Sequence, residues 1–444
     1  MIYKASSQAF ATLAALLIAI CLLMSWGAFH GARALETERF VPGQIVIKLA
    51  PGVNIRELNL RGYGLSVQET FLDQANTNLY LLKATDGASL DDTLAALNKQ
   101  VSLVAYAEPN YVADAPEAAG RHRAFPADDA TPTTRNYSRD GVYSDSALNL
   151  TAAQQITQGA GTRVAVLDTG AQLTHPALKA NFASVPRYDF VDDDTDPSEP
   201  AFSKNTQLRA QEVVGHGTHV AGIVDLVAPK AEIMPLRVLD RGGYGTTFHL
   251  AEAIAYAEAN GADVINLSLG TPSWSRLLRE KVSAALRDGV VVVAAAGNHG
   301  SFQPQYPASN GPPPLSVARE TDGLLAVTSV DAAQKKSDFA NWGKWVDIVA
   351  PGEEILSTYP VSRYAYWSGT SMAAPFVAGE AALIQSADGP LVPGGVEGRI
   401  RSGARCVDQV NAVQYTGMLG AGHADVAASL RGIEGPHCIS LAGL

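Results

Sequence analysis

The sequence predicts an α/β fold with a mostly parallel sheet and helices on both of its faces, preceded by a small α+β domain. From about residue 144, apolar runs such as VAVLD, VINLSLG and VVVVAAAG alternate with helix-like stretches such as FHLAEAIAYAEAN. Such alternation implies buried parallel strands that are joined by helical crossovers. Residues 38–114 differ, because two strand-like runs, GQIVIKLA and NLYLLKA, are followed by one helix-like run and a last strand.

The first 34 residues have the three parts of a secretory signal peptide. Lys4 precedes an uncharged run from about Ala9 to Phe29, and a small-x-small site follows at Ala32-Arg33-Ala34. Cleavage there predicts a secreted or periplasmic protein. Because the apolar run is long, an uncleaved membrane anchor is the alternative.

The remaining chain divides into two domains and a linker. At 444 residues the chain is long enough for two or three units. We expect a first domain at residues 35–115, a linker at 116–143 and a large domain at 144–444. The linker is polar and rich in proline and alanine, which is typical of segments that are open to proteolytic processing.

Composition excludes two broad classes of protein. A hydrophobic content of 47% with 17% charged residues is typical of a globular protein and excludes a disordered chain. The formal net charge of −11 argues against a nucleic-acid partner, because nucleic-acid-binding domains are normally basic.

The stretch WSGTSMAAPFVAGEAAL, residues 367–383, predicts an apolar helix with Ser371 on its first turn. Pro375 is tolerated only near a helix start, where its missing N–H matters little. At that start the free N–H groups and the helix dipole favour developing negative charge. A nucleophilic serine and an ordinary N-cap serine fit this stretch equally well.

Partners for a serine nucleophile occur elsewhere in the chain. A serine hydroxyl needs an adjacent base, and the base needs an orienting group. The candidate base is His216 in VVGHGTHVAGIV, and the candidate orienting group is Asp168 at the end of VAVLD. Asn298, after AAAG, offers an amide donor for a developing oxyanion. His219 is interpreted as a structural residue, and no general-base glutamate accompanies the two histidines as in zinc proteases.

In the order Asp, His, Asn, Ser, these motifs resemble the subtilisin-like serine proteases, the subtilases of the peptidase S8 family. The matching segments are VAVLDTG, GHGTHVAG, AAAGN and SGTSMAAPFVAG, and the resemblance extends over about residues 150–430. It implies a subtilisin-like three-layer fold for residues 144–444. A weaker match, ending in YAEPNYVADA, implies that residues 35–115 are an inhibitory, ferredoxin-like propeptide domain.

The resemblance implies a secreted serine endopeptidase that is made as a self-processing precursor. Asp168 would orient His216, His216 would act as general base and then acid, and Ser371 would form the acyl-enzyme. Asn298 and the Ser371 backbone N–H would form the oxyanion hole, as in subtilisin, for which this Asn donor and triad order are known. No cofactor is implied for catalysis.

The resemblance also implies how substrate is held. Protein or peptide substrates would bind in extended form by adding a strand to exposed backbone, and the propeptide would do the same as an intramolecular inhibitor. Membrane contact would occur only through an uncleaved N-terminal segment. The expected substrate-binding residues are Gly243, Tyr244, Gly245, Ser268, Leu269 and Gly270 at the edges, with Ala295, Ala296, Gly297 and Gln305 around the side-chain pocket. Many relatives have glycine where Gln305 falls, so we expect a shortened pocket that disfavours large aromatic side chains.

The sequence leaves calcium binding open. The loop between GHGTHVAGIV and APKAEIMPLRVLD is too short for a calcium site that many relatives carry there. The segment YDFVDDDTDPSEP offers six oxygen ligands in compensation, and a solvated acidic loop is the alternative. These acids are Asp189, Asp192, Asp193, Asp194, Asp196 and Glu199.

Three further questions stay open at this level. After removal of the first 34 residues, Cys406 and Cys438 remain and either form a disulfide or stay as two thiols. The first domain is either a removable inhibitor or a permanent accessory domain. A binding protein that keeps the fold without activity, and a dinucleotide-dependent enzyme, are the competing functions. The dinucleotide-dependent enzyme is disfavoured because the glycines of TQGAGTRVAVLD precede the strand, whereas a phosphate-binding turn follows it.

Overall fold

The structure is a computed structural model of the whole chain. It describes residues 39–71, 78–85, 89–118, 124–126, 147–209, 211–309, 311, 323–436 and 438. The predicted signal segment at 1–34 and most of the predicted linker at 116–143 lie outside these residues. Within them, every helix is too short or too polar to cross a bilayer.

The front domain, which we define as the described residues of 39–114, is a four-stranded antiparallel sheet with one helix. Its strands run in the order β2-β3-β1-β4, the order of a ferredoxin-like sheet. Two short 3₁₀ helices join β1 to β2, where a full ferredoxin-like domain would carry an α-helix. The elements are β1 (Phe40–Leu49), β2 (Leu65–Thr70), β3 (Leu79–Ala84), α1 (Leu90–Asn98) and β4 (Val104–Asp114), with 3₁₀ helices at Ile55–Glu57 and Leu60–Tyr63.

The second part of the chain is built around a seven-stranded sheet in which all neighbouring strands are parallel. The strands follow the order β13-β12-β11-β10-β6-β8-β7. The strands after the front domain are β5 (Phe125–Pro126), β6 (Arg163–Asp168), β7 (Tyr188–Asp189), β8 (Glu232–Arg237), β9 (Tyr244–Thr246), β10 (Val264–Leu267), β11 (Val291–Ala295), β12 (Leu324–Val330), β13 (Ile348–Pro351), β14 (Ile355–Tyr359) and β15 (Arg363–Trp367).

Helices cover both faces of this sheet. The side chains of β6 alternate between two cores: Val164 and Val166 pack with α4 and α7, and Ala165 and Leu167 pack with α5 and α6. The helices after α1 are α2 (Leu150–Gln154), α3 (Thr206–Arg209), α4 (His216–Val227), α5 (Thr247–Ala259), α6 (Arg276–Arg287), α7 (Thr370–Asp388), α8 (Pro393–Gly403) and α9 (Val426–Arg431). Short 3₁₀ helices lie at Asp408–Val410 and Val413–Tyr415.

Two smaller sheets contain strands from before and after the predicted start of the large domain. Strand β4 of the front domain continues into a pairing with β9, so that one five-stranded sheet crosses the predicted domain boundary. The hairpin of β14 and β15 adds the two-residue strand β5 from the predicted linker. The chain before the large domain is therefore held to it by backbone pairing at two places.

Candidate active site

The first pair of candidate residues meets at the carboxyl end of the parallel sheet. Asp168 is the last residue of β6, and His216 is the first residue of α4. Oδ1 of Asp168 lies 2.7 Å from Nδ1 of His216, and both side chains are buried. Gly217 permits this approach, because a Cβ there would lie 2.1 Å from the Gly170 carbonyl oxygen. The sequence thus brings a carboxylate to the ring nitrogen that it would orient.

Ser371 is the second residue of α7, as the apolar helix and Pro375 predicted. Its side chain is buried at the same end of the sheet. Its hydroxyl donates to the carbonyl oxygen of Ser268 at 3.2 Å, and the Ser268 hydroxyl donates to the Ser371 carbonyl oxygen at 2.8 Å. Ser268 follows β10, so the loop after that strand fixes the start of the helix.

Asn298 lies three residues beyond β11 with its amide held in one orientation. Its Oδ1 accepts hydrogen bonds from the backbone N–H and the hydroxyl of Thr370, both at 2.9 Å. With the oxygen engaged in this way, Nδ2 is left as a donor toward the space in front of Ser371. That is the arrangement required of a donor to a developing oxyanion.

A residue that the sequence analysis did not select, Glu117, occupies this space. Its Oε2 accepts from the Ser371 hydroxyl at 2.7 Å and lies 3.0 Å from Nε2 of His216. Its Oε1 accepts from Nδ2 of Asn298 at 2.8 Å. The carboxylate is fully buried and stands between the candidate base and the candidate nucleophile.

Burial and two neighbouring carboxylates act in opposite directions on the charge of His216. Burial disfavours the charged imidazole, but the carboxylates of Asp168 and Glu117 on its two nitrogens raise the pKa of His216 to about 10. Burial likewise disfavours a charged Glu117, and hydrogen bonds from His216, Ser371 and Asn298 outweigh it and lower the pKa of that carboxyl. The described arrangement is therefore an imidazolium held between two carboxylates.

His219 has a different environment from His216, in agreement with its structural interpretation. Its Nε2 lies 3.0 Å from the carbonyl oxygens of both Ile355 and Ala365, so it ties α4 to the β14–β15 hairpin. Burial lowers the pKa of His219 to about 3.

The two predicted substrate-binding edges flank the end of β4. Ala113 pairs with Gly245, and Asp114 exchanges two backbone hydrogen bonds with Gly270, at 2.8 and 2.9 Å. The Ala115 N–H donates to the Gly243 carbonyl oxygen at 2.9 Å. Residues 112–115 thus lie as an extended strand between the two edges. The chain then turns, because the Ala118 N–H donates to the Ala115 carbonyl oxygen.

Gln305 lies beside the predicted pocket residue Gly297 and the predicted edge residue Gly270. A Cβ at Gly297 would lie 1.7 Å from its Oε1, and a Cβ at Gly270 would lie 2.6 Å from its Nε2. The side chain is only 3% exposed, and Oε1 has no hydrogen-bond partner within the described part of the chain. Ala295 and Ala296 are buried next to Gly297 along the same segment.

The six acids of the acidic loop all have protein partners among the described residues. Asp189 and Asp192 bind Arg237 at 2.6 and 2.5 Å, and Glu199 points to the start of α4. The remaining acids bond locally: Asp193 accepts from Tyr188, Asp194 from the Asp196 N–H, and Asp196 from Ser198. Among the described residues, these six carboxylates do not bring three ligand atoms within reach of one ion. Arg237 supplies positive charge to two of the acids, Asp189 and Asp192, and calcium binding at this loop stays a prediction.

The two remaining cysteines are joined. The Sγ atoms of Cys406 and Cys438 are 2.10 Å apart, which is a disulfide bond. The bond fastens the last described residue to the segment after α8.

Comparison with known protein families gives two matches. The model of the subtilase family, Peptidase S8, matches residues 159–417. The model of the fervidolysin N-terminal prodomain matches residues 29–110.

Individual relatives and structures agree with these matches. A thermophilic serine proteinase of Bacillus sp. (strain AK1) is 36% identical over 363 residues, which cover 79% of this chain and 80% of the relative. Thermitase of Thermoactinomyces vulgaris is 41% identical over 260 residues, or 56% of this chain and 84% of thermitase. The crystal structure of fervidolysin from Fervidobacterium pennivorans, a keratinolytic enzyme related to subtilisin, superposes with a TM-score of 0.68 at 22% identity. That superposition covers 90% of this chain and 62% of fervidolysin, and it confirms the predicted fold class.

Proposed function

Because this chain belongs to the subtilase family of serine endopeptidases, we propose that it hydrolyses peptide bonds through Asp168, His216 and Ser371. Ser371 attacks the carbonyl carbon while His216 takes its proton, and Asp168 stabilises the imidazolium. Asn298 and the Ser371 backbone N–H receive the oxyanion. The observation that carries this proposal is a connected set of contacts: Asp168 binds His216, and His216, Ser371 and the Asn298 amide all contact one carboxylate, that of Glu117.

Substrate binds in extended form along the path that residues 112–115 take in the precursor. Backbone pairing with Gly245 and Gly270 supports this path, because such pairing accepts a strand of any sequence. The residue before the scissile bond enters the pocket beside Gln305. Physiological substrates are proteins or peptides, and no cofactor takes part in the chemistry.

The front domain and the residues that follow it through Ala118 act as an intramolecular inhibitor until they are removed. Glu117 fills the site of the oxyanion, and residues 112–115 fill the substrate path. The front domain also caps two helices of the large domain. Glu108 accepts from the N–H groups of Arg276 and Leu277 at the start of α6, and Asn110 accepts from the Phe248 N–H at the start of α5. These caps satisfy N–H groups that a helix start otherwise leaves to water.

The precursor is exported by its N-terminal segment and processes itself outside the cytoplasm. The charge pattern of residues 1–34 supports export, and the Cys406–Cys438 disulfide suits an oxidising compartment.

The test is digestion of an unstructured protein by purified wild-type chain and by Ser371→Ala. Mass spectrometry of the products reports cleavage, and a serine-directed phosphonate reports the nucleophile. We expect Ser371→Ala to lose cleavage by on the order of 10⁶, as removal of the nucleophile does in subtilisin. Exposed Ser184 offers a matched control, since Ser184→Ala removes a hydroxyl of the large domain away from the site. Undiminished cleavage by pure Ser371→Ala protein would overturn the assignment.

A further inference from the structure

Glu199, at the end of the acidic loop, binds the first turn of the helix that carries His216. Its Oε2 accepts from the Gly215 N–H, and its Oε1 accepts from the Thr218 N–H, both at 3.0 Å. Two hydroxyls also donate to this carboxylate, from Thr218 at 3.1 Å and from Thr169 at 3.2 Å. The carboxylate therefore receives four donors from the residues that immediately surround Asp168 and His216.

These contacts connect the segment that ends in Asp168 with the helix start that carries His216. Thr169 follows Asp168 directly, and its N–H donates to Asp168 Oδ1 at 2.7 Å. The Thr169 hydroxyl accepts from the Gly217 N–H at 3.0 Å and donates to Glu199. A single carboxylate thus holds the end of β6 against the start of α4, and with it the 2.7 Å contact between Asp168 and His216.

The charge of Glu199 also acts on His216. His216 stands at the positive end of α4, where the helix dipole disfavours an imidazolium. A general base must accept a proton, so this position works against its function unless a negative charge compensates. Glu199 lies at that same helix end. Burial, with a smaller contribution from the charge of Asp168, raises the pKa of Glu199, while the N–H donors of Gly215 and Thr218 oppose that rise and favour the carboxylate.

We propose that Glu199 is a positioning residue of the peptidase reaction: it fixes His216 against Asp168 and offsets the field of the α4 dipole on the imidazole. This inference rests on the proposed function. It also gives the acidic loop a role other than metal binding. Glu199 touches neither substrate nor the reacting atoms, and it acts through His216.

Two variants of the mature enzyme separate the two contributions. Glu199→Gln keeps the length and removes the charge, and Glu199→Asp keeps the charge and shortens the side chain. We expect both to lower kcat by roughly 10-fold to 100-fold with little change in KM, because the base is misplaced. Only Glu199→Gln should lower the pKa of the acidic limb of the kcat/KM profile, by about one unit, because an anion near the imidazole is gone.

The matched control is Asp193→Asn, which neutralises an exposed acid of the same loop and should leave both the rate and the profile unchanged. Unchanged kcat in both Glu199 variants, or an acidic limb that Glu199→Gln leaves in place, would overturn the inference. If Glu199→Gln yields no mature enzyme, Thr218→Val removes one donor and keeps the charge. Thr218→Val should lower kcat several-fold and leave the pKa of the acidic limb unchanged. A wild-type kcat in Thr218→Val would equally overturn the inference. Absence of activity from wild-type chain would instead refute the proposed function.

Discussion

The hydroxyl of Ser371 donates a 2.7 Å hydrogen bond to the carboxylate of Glu117, a residue that lies 254 positions earlier in the chain. The same carboxylate oxygen lies 3.0 Å from Nε2 of His216. The proton that His216 would take from Ser371 is thus directed to Glu117 in the precursor. The Glu117 side chain therefore contacts both the candidate nucleophile, Ser371, and the candidate base, His216.

Removal of the Glu117 carboxylate should unblock the nucleophile in the intact precursor. Charge-assisted hydrogen bonds contribute roughly 1.5–3 kcal/mol each, and Glu117→Ala deletes those to Ser371, Asn298 and His216. We expect Ser371 in freshly isolated precursor to react with a serine-directed phosphonate roughly 10-fold to 1,000-fold faster. Intact mass spectrometry over time measures the labelling. Asp91→Asn, on the exposed start of α1, is the control, and equal labelling rates for wild type and Glu117→Ala would rule out the blocking role.

The bond after Pro116 should not be the site of processing in the described arrangement. Asp114 pairs with Gly270, so antiparallel register sets Pro116 opposite Ser268. Proline has no N–H to donate to the Ser268 carbonyl oxygen, which instead lies 3.2 Å from the Ser371 hydroxyl oxygen. The chain also turns there, as the Ala115–Ala118 hydrogen bond shows. N-terminal sequencing of the mature enzyme should therefore give a start other than Glu117, and a start at Glu117 would contradict this register.

Asn298→Ala should lower kcat by roughly 10²-fold to 10³-fold and leave KM within a few-fold, because the amide acts on the transition state. Steady-state kinetics of the mature enzyme on a peptide substrate measure both constants. The exposed Asn205→Ala is a change of the same kind away from the site. A rise in KM at constant kcat would show instead that Asn298 serves ground-state binding.

Gln305→Gly should widen the side-chain pocket. The buried amide fills the space between Gly270 and Gly297, and its removal makes room for an aromatic ring. On a peptide library we expect kcat/KM for Phe or Tyr before the scissile bond to rise at least about 10-fold relative to Ala, because burial of an aromatic side chain is favourable by a few kcal/mol. Gln303→Gly changes an exposed glutamine two residues away and should not alter the preference. A wild-type enzyme that already prefers Phe or Tyr strongly would refute this role.

Glu380 should make stability fall as pH rises. Its carboxyl is fully buried in α7, and an interaction with the Ser429 side chain only partly offsets that burial. Burial, with a smaller effect of Asp425, raises the pKa of Glu380 to about 8. The folded state therefore keeps the proton while the unfolded state releases it near its ordinary pKa of 4.5. The free energy of unfolding is thus lost progressively from about pH 4.5 to about pH 8.

Calorimetry of Glu380→Gln against Glu380, both in Ser371→Ala protein to prevent self-digestion, measures this effect. The neutral amide should raise Tm most near pH 9 and least near pH 5, because only the wild-type side chain titrates between them. Asp91→Asn should shift Tm equally at both pH values. The prediction fails if the Tm difference between Glu380→Gln and its parent does not depend on pH.

The large features of this protein could be predicted from its sequence because each depends on local pattern. Apolar runs that end in Asp168, Ser268 or Asn298 identify buried strands and the edge at which they end. Pro375 and the apolar residues after it predict the helix that presents Ser371. In a parallel sheet these ends must meet, so the grouping of the site followed from the fold class.

The roles of Glu117 and Glu199 could not be predicted in this way. Both acids lie in polar segments, a linker and an acidic loop, where solvated carboxylates are the ordinary expectation. Glu117 binds Ser371, 254 positions further along the chain, and the partners of Glu199 lie in two other segments, so no local spacing identifies either role. The contacts of the acidic loop with Arg237 could not be predicted either, because Arg237 reaches the loop from β8. A single signal was available for Glu117, since it closely follows the tail YVADA that resembles a propeptide end.

The five-stranded sheet shared by β4 and β9 has a consequence for the free enzyme. Once the front domain departs, β9 loses its only neighbour on that side among the described strands. An unpaired edge of that kind is a template for any extended chain, including the same edge of a second molecule. In the proposed mature enzyme, the edge of β9 that would accept an extended substrate would also be open to self-association, and β4 covers that edge in the intact chain.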